Sequence, residues 1–153
     1  MENLKLKSLH IISFDVPYPA NYGGVIDVFY KLKQLHKLGV KITLHCFEYG
    51  RGEQKVLEQY CEKVFYYKRK TLALYQVSRL PYIVRTRLSE ELLNNLLRDK
   101  HPILFEGLHT CGILANKRLA KRMKIYRESN IEHDYYRQLA NAEKSSIKKM
   151  YFR

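Results

Sequence analysis

Residues 9–39 constrain the fold more than any other stretch, because an apolar run, a loop containing Pro and Gly, and an amphipathic pattern follow one another there. Residues 9–14 are mostly apolar, β-branched and too few for a helix, which predicts a buried parallel strand. From Val25 to Leu38 apolar residues recur at three- and four-residue steps, and Gly39 stands where helices stop. A strand, loop and helix in this order open an α/β domain, in which ligands bind at the carboxyl ends of the strands.

The alternation of strand and helix continues to the end of the chain. Ser89, followed by Glu90 and Glu91, marks the start of one helix, and Pro81 interrupts the crossover segment 71–88. Further strands are predicted at 40–47, 64–67, 102–105 and 124–127, and further helices at 53–62, 89–100, 113–123 and 133–153. We therefore predict an α/β, Rossmann-like three-layer domain over residues 1–153, with a central parallel sheet in the order 3-2-1-4-5.

The charge of the chain indicates a phosphate-bearing partner. A formal net charge of +13 and a pI near 9.7 attract nucleic acid, anionic lipid or a phosphorylated substrate without choosing among them. Cys46, Cys61 and Cys111 form no C-x-x-C pair, so we expect neither a disulfide framework nor a zinc site, and a reducing compartment. The first 15 residues lack the pattern of a signal peptide and no run reaches membrane-spanning length, which favours a soluble or peripheral protein.

The loop after the first strand is a candidate binding site. Gly23 and Gly24 let a ligand approach the backbone closely, beside the unpaired N–H groups and positive dipole end of a helix. Asp15, Asn21 and Tyr22 add polar groups to the same loop, and we include all three among the expected substrate-binding residues. The alternative is that the glycines only make the turn.

Polar residues also follow the fourth and fifth strands. Glu106 and His109 come after the fourth strand, and Asn130 and Glu132 come after the fifth. Titratable groups at two strand ends, opposite a Gly-Gly loop, are typical of a functional site, which we expect to hold no metal. Asn130 and Glu132 have a structural alternative, since they could cap the last helix.

Two motifs, at residues 17–24 and 127–136, together resemble motifs in the N-terminal, acceptor-side domain of bacterial GT-B glycosyltransferases of family 4. One is the P-x-P-x-x-x-G-G pattern of residues 17–24, similar to the family's Gly-rich acceptor loop. The other is residues 127–136, RESNIEHDYY, similar to the segment R-x-H-N-I-E-x-x-Y-Y. Ser129 stands where many relatives have His, so the role of that His is not carried over, whereas Asn130 and Glu132 match.

The resemblance implies a retaining glycosyltransferase of cell-surface polysaccharide synthesis. It would move a sugar from a nucleotide-sugar donor to a glycan or lipid-linked acceptor, without a cofactor. His109 or Glu106 would act at the transferred sugar, and Gly23 and Gly24 would lie near the donor phosphates. The family's C-terminal donor-binding domain does not follow here, so we expect no activity from this chain alone. We expect a cytoplasmic protein, peripheral at the anionic inner face of the membrane.

Three other classes compete with this interpretation. A nicotinamide-dependent, NAD(P)-binding dehydrogenase would explain Glu48, about 20 residues after the glycines, but the third glycine of G-x-G-x-x-G is missing. A basic nucleic-acid-binding module fits the charge, yet the Lys and Arg residues are dispersed and no recognition motif occurs, so no nucleic-acid partner is expected. A structural or interaction domain is the remaining alternative.

Overall fold

Five parallel strands in the order β3-β2-β1-β4-β5 form the central sheet of the computed structural model, which describes residues 6–72, 78–128, 137–138 and 141–142. The pairing places Ile11 between Leu44 of one neighbouring strand and Leu104 of the other. The predicted α/β, Rossmann-like fold and its strand order are confirmed. The strands are β1 (Ser8–Ser13), β2 (Lys41–Glu48), β3 (Lys63–Lys68), β4 (Ile103–Glu106) and β5 (Lys124–Arg127).

Helices of different lengths connect the strands. Helix α1 joins β1 to β2, whereas α2 and α3 lie between β3 and β4. Ser89 caps α3 as predicted, since its Oγ accepts a hydrogen bond from the backbone N–H of Leu92 at 3.1 Å. The helices are α1 (Gly23–Lys37), α2 (Tyr82–Arg85) and α3 (Glu90–Leu96), with 3₁₀ helices at Lys55–Gln59, Leu108–Ile113 and Lys117–Leu119.

The core lies on both faces of the sheet, because successive strand residues point to opposite sides. Ile11 packs with Leu32 of α1 on one face, and Ile12 packs with Leu92 and Leu96 of α3 on the other. All five side chains are almost completely buried. This double coverage explains why buried apolar residues of β1 and β4 point to both faces, as expected for central parallel strands.

Two predicted helices differ in the structure. Segment 53–62 contains only the short 3₁₀ helix Lys55–Gln59. The helix predicted at 113–123 is wrong: Asn116 caps a separate 3₁₀ turn by accepting from the N–H of Arg118 at 2.9 Å, which interrupts the α-helical ladder. The helix predicted at 133–153 lies outside the described residues, except that 137–138 and 141–142 are helical.

Candidate functional site

The loop between β1 and α1 is held by Asp15. Its Oδ1 accepts from the N–H of Val16 at 2.8 Å, and its Oδ2 accepts from the Tyr22 hydroxyl at 2.7 Å. Burial, followed by the hydrogen bond to Asp15, raises the pKa of Tyr22, which therefore remains a neutral donor. Two predicted substrate-binding residues are thus bonded to each other, and Asp15 is only 4% exposed.

Arg51, from the loop after β2, ties that loop to the first one. Its Nη2 donates to the carbonyl of Pro19 and to Oδ1 of Asn21, the latter at 3.1 Å. Its guanidinium carbon lies 5.4 Å from the centre of the Tyr22 ring. Asn21 and Tyr22 therefore both contact a cation that the sequence did not single out, and their role in substrate binding stays a prediction.

Gly23 and Gly24 are the first two residues of α1 rather than the end of the loop. A Cβ atom at Gly23 would meet nothing within 4 Å, whereas one at Gly24 would lie 2.5 Å from Cζ of Phe14. Gly24 therefore has a packing role, because only a glycine leaves room for the Phe14 ring. That the two glycines also admit a ligand stays a prediction.

His109 also contacts the Phe14 ring. The ring centroids of Phe14 and His109 are 5.4 Å apart, so Gly24, Phe14 and His109 form a continuous contact at the carboxyl ends of β1 and β4. Gly107, with φ of 73°, makes the turn that leads from β4 to His109. Burial, then the charges of Arg87 and Arg69, lower the pKa of His109 to about 4, which keeps its imidazole neutral at pH 7.

Glu106 is part of a four-residue cluster that we call the charged bridge: Asp27, Lys31, Glu106 and Arg127. Lys31 of α1 donates to Glu106, and Arg127 of β5 lies 3.4 Å from the other Glu106 oxygen. Arg127 also pairs with Asp27 at 2.5 Å, and Lys31 with Asp27 at 3.4 Å. The Glu106 side chain is 2% exposed. The structure thus brings Glu106 and His109 to the same strand end but turns the carboxylate toward α1.

Two arginines that the sequence did not single out lie next to His109. Arg87 is 5% exposed and donates through Nε to the carbonyl of Phe14 at 2.9 Å. Arg69 donates through Nε to Oγ1 of Thr86 at 3.2 Å. We call Arg69 and Arg87 the arginine pair. The mixed apolar and basic composition of 71–88 was the only signal for Arg87, because sequence cannot show which basic side chain turns inward, and Arg69 lies outside that segment.

Glu48 has a structural role that weakens the dehydrogenase alternative. Its Oε1 accepts from the N–H groups of Gly50 at 2.5 Å and Gly52 at 3.0 Å. These backbone hydrogen bonds lower the pKa of Glu48. The Glu48 carboxylate therefore binds backbone N–H groups of its own loop, whereas a dinucleotide-binding domain uses the carboxylate at this position to bind the ribose.

The remaining site predictions are not tested by the structure. Asn130 and Glu132 lie outside the described residues. Among the residues that are described, no group of three or more His, Cys, Asp or Glu side chains is placed to hold a metal ion. Within the same part of the chain, no helix has the length and apolarity needed to cross a bilayer.

A buried polar chain crosses the sheet beneath α3, and sequence reasoning missed it. His10 Nε2 lies 2.9 Å from Oδ1 of Asp99, and His10 Nδ1 lies 2.9 Å from His45 Nε2. His45 Nδ1 lies 2.8 Å from the Tyr67 hydroxyl, which accepts from Asn95 at 2.9 Å. The periodicity that identifies strands β1 and β2 reports burial alone, so it gives no sign that His10 and His45 bond to each other.

One assignment of protons satisfies this whole chain. His10 donates to Asp99, His45 donates to His10, and Tyr67 donates to His45, with both imidazoles neutral. Burial lowers the pKa of His10, and burial followed by the charge of His10 lowers that of His45 to about 3. His10, His45 and Tyr67 are therefore neutral at pH 7, and the Asp99 carboxylate at the end of the polar chain also pairs with Arg122 at 3.4 Å.

Comparison with known proteins links the chain to one relative. An uncharacterized 44.6 kDa protein in cps region of Klebsiella pneumoniae is 32% identical over 151 residues. The match covers 93% of this chain but 38% of that protein, so the chain spans well under half of its relative's length. No protein-family model matches the chain, and no solved structure gives a significant match.

Proposed function

We propose that residues 1–153 are the acceptor-binding, N-terminal part of a retaining glycosyltransferase of the GT-B type, family 4, acting in cell-surface polysaccharide synthesis. The observation that carries the proposal is the contact of Gly24, Phe14 and His109 where β1 and β4 are neighbours. That point is where the strand order reverses, the usual ligand position in such sheets. The relative in a cps (capsule polysaccharide) region supports the polysaccharide context.

His109 is the better candidate than Glu106 for contact with the transferred sugar. Its imidazole is held neutral and lies against Phe14 at the start of α1, so it can donate or accept a hydrogen bond to a sugar hydroxyl. Glu106 is already paired with Lys31 and Arg127. In the proposed enzyme Glu106 is therefore a positioning residue, and His109 a substrate-contacting one.

The start of α1 would act on the leaving group. In a retaining transfer the acceptor hydroxyl attacks the anomeric carbon as the bond to the nucleoside diphosphate breaks, and the departing diphosphate takes up the hydroxyl proton. No side chain caps α1 and its first turn has no acid, so the N–H groups at Gly23 and Gly24 can stabilise developing negative charge. Contacts between the acceptor and residues of this domain would hold the acceptor hydroxyl in position for its attack on the anomeric carbon.

Substitution of His109 in the full-length protein tests the proposal. With a panel of nucleotide sugars and a membrane extract as acceptor, release of nucleoside diphosphate should fall about 100-fold in His109→Gln. The matched control is His36→Gln, because His36 lies in the last turn of the same helix whose start faces His109. Full activity of His109→Gln, or turnover by residues 1–153 alone, would contradict the proposal.

The proposed partners are a nucleotide sugar, a glycan or lipid-linked acceptor and the anionic, cytoplasmic face of the membrane. Lys37, Lys117 and Lys121 are exposed and would supply the contact with lipid, whereas the Arg122 side chain is only 7% exposed and donates to the carbonyls of Leu96 and Asp99. Each exposed cation near lipid contributes about 1 kcal/mol. Equal flotation with anionic and neutral vesicles at low salt would exclude the membrane contact.

A further inference from the structure

Arg87 is a buried cation without a carboxylate partner among the described residues. It is 5% exposed, and its side chain donates to two carbonyl oxygens, those of Phe14 at 2.9 Å and Ile83 at 2.8 Å. A buried charge is normally paired, because loss of hydration costs several kcal/mol per ion. The two carbonyls use Nε and Nη1, which leaves Nη2 without a hydrogen-bond partner in the described part of the chain.

Arg69 adds a second cation to the same place. Its guanidinium carbon lies 4.4 Å from the centre of the Tyr49 ring and 5.9 Å from that of Tyr82. It reaches Thr86, the residue next to Arg87, and no salt bridge involves it among the described residues. Burial, then repulsion from Arg69, lowers the pKa of Arg87 to about 10. The two cations are thus held together, and neither forms a salt bridge with a carboxylate of the described residues.

We propose that the arginine pair, Arg69 and Arg87, is an anion site that binds a phosphate or diphosphate group of the acceptor. Guanidinium groups bind phosphate through two parallel N–H donors, a geometry that lysine lacks. The aromatic rings of Tyr49 and Tyr82 fix the position of Arg69, as the two carbonyls fix Arg87. The assignment to the acceptor rests on the proposed function, whereas the anion site itself does not.

The site lies beside the residue proposed to contact the transferred sugar. The carbonyl of Phe14 accepts from Arg87, and the ring of Phe14 lies against His109. An acceptor whose phosphate is bound by the arginine pair would therefore present its neighbouring hydroxyl groups toward His109. A bound anion would also weaken the effect of both arginines on the imidazole and raise the pKa of His109.

Binding of inorganic pyrophosphate to the full-length protein tests the site directly. We expect Arg69→Gln to weaken binding at least tenfold by calorimetry and Arg69→Lys to weaken it less, because lysine keeps the charge but loses the fork. Lys70→Gln is the matched control, since it removes the same charge one residue away on an exposed side chain. Equal weakening by Arg69→Gln and Lys70→Gln would overturn the proposal. So would a rise in the pKa of His109 that is as large with chloride as with pyrophosphate at equal ionic strength.

Three further ligands identify the source of the phosphate. Geranyl diphosphate represents a lipid-linked acceptor and glucose 1-phosphate a soluble one, and binding of either that is weakened in Arg69→Gln supports the proposal. Stronger binding of UDP, weakened by the same substitution, would assign the site to the donor and overturn it. If pyrophosphate binding depends on Arg69 but no nucleotide sugar is consumed, the anion site stands and the glycosyltransferase proposal fails.

Discussion

Two groups of charged side chains lie at the carboxyl ends of the strands, and they differ in how their charge is balanced. The charged bridge contains two carboxylates and two cations, whose contacts join α1 to β4 and β5. The arginine pair contains two cations that contact carbonyl, hydroxyl and aromatic groups. A complete set of ion pairs positions secondary structure, whereas an uncompensated pair of cations is suited to an exogenous anion.

The largest expected difference is in stability. Glu106→Gln removes the most buried carboxylate of the bridge and leaves Lys31 and Arg127 to share Asp27. Loss of one partner of a buried pair costs about 3–5 kcal/mol, and we expect about 2–3 kcal/mol here because Lys31 and Arg127 are 20% and 38% exposed. Urea unfolding measures this change. Arg69→Gln should alter the free energy of unfolding by less than about 0.5 kcal/mol. An equal loss in both variants would show that the charged bridge stabilises the fold no more than the arginine pair does.

A smaller effect is expected where α1 packs on the side of the arginine pair. In Gly24→Ala the new methyl group would meet the Phe14 ring at 2.5 Å, and the ring must move. Such overpacking typically costs about 1–3 kcal/mol. Gly23→Ala is the matched control, because its Cβ meets nothing and alanine is favoured over glycine in helices by up to about 1 kcal/mol. Thermal unfolding that ranks the two variants in the opposite order would show that Phe14 is not held against α1.

The smallest effect is a change in acid sensitivity. The pKa of His109 is about 4 in the folded protein, below its ordinary value of 6.5, so the unfolded chain binds the proton first on acidification. The stability contributed by His109 is therefore present above pH 6.5 and is lost as the pH falls from 6.5 toward 4. Arg69→Gln removes one cause of the lowered pKa and should retain part of that stability at pH 4.5. Identical unfolding free energies of variant and parent at both pH 7 and pH 4.5 would show that Arg69 does not lower the pKa of His109.

The sheet could be predicted from sequence because its signals are local. Short apolar runs separated by helix-length segments indicate parallel strands, and the order 3-2-1-4-5 follows from two such units placed side by side. The partners of Glu106 could not be predicted, since Lys31 is 75 residues away along the chain. Burial of Arg87 is equally non-local, because it depends on the carbonyl of Phe14, 73 residues earlier.

Failed helix predictions have a different cause. Segment 113–123 has apolar residues at helical spacing, but the side chain of Asn116 accepts from the backbone N–H of Arg118, and Arg122 donates to the carbonyl of Leu96 at the end of α3. The periodicity there reflects burial of Ile113 and Leu119 in the core rather than a continuous helix. Spacing alone cannot separate these outcomes, because 3₁₀ turns and α-helices place apolar residues at similar intervals.

The histidine chain beneath α3 has a consequence for how the strands align during folding. Ile12 stands opposite His45, and Phe47 stands opposite Tyr67, so the polar chain runs diagonally across three strands. Sliding β2 by one residue would turn His45 to the α1 side, among apolar side chains with no partner for either ring nitrogen. Apolar strands such as these would otherwise tolerate several alignments. The hydrogen bonds of His10, His45 and Tyr67 therefore favour the native register of the three strands over registers shifted by one residue.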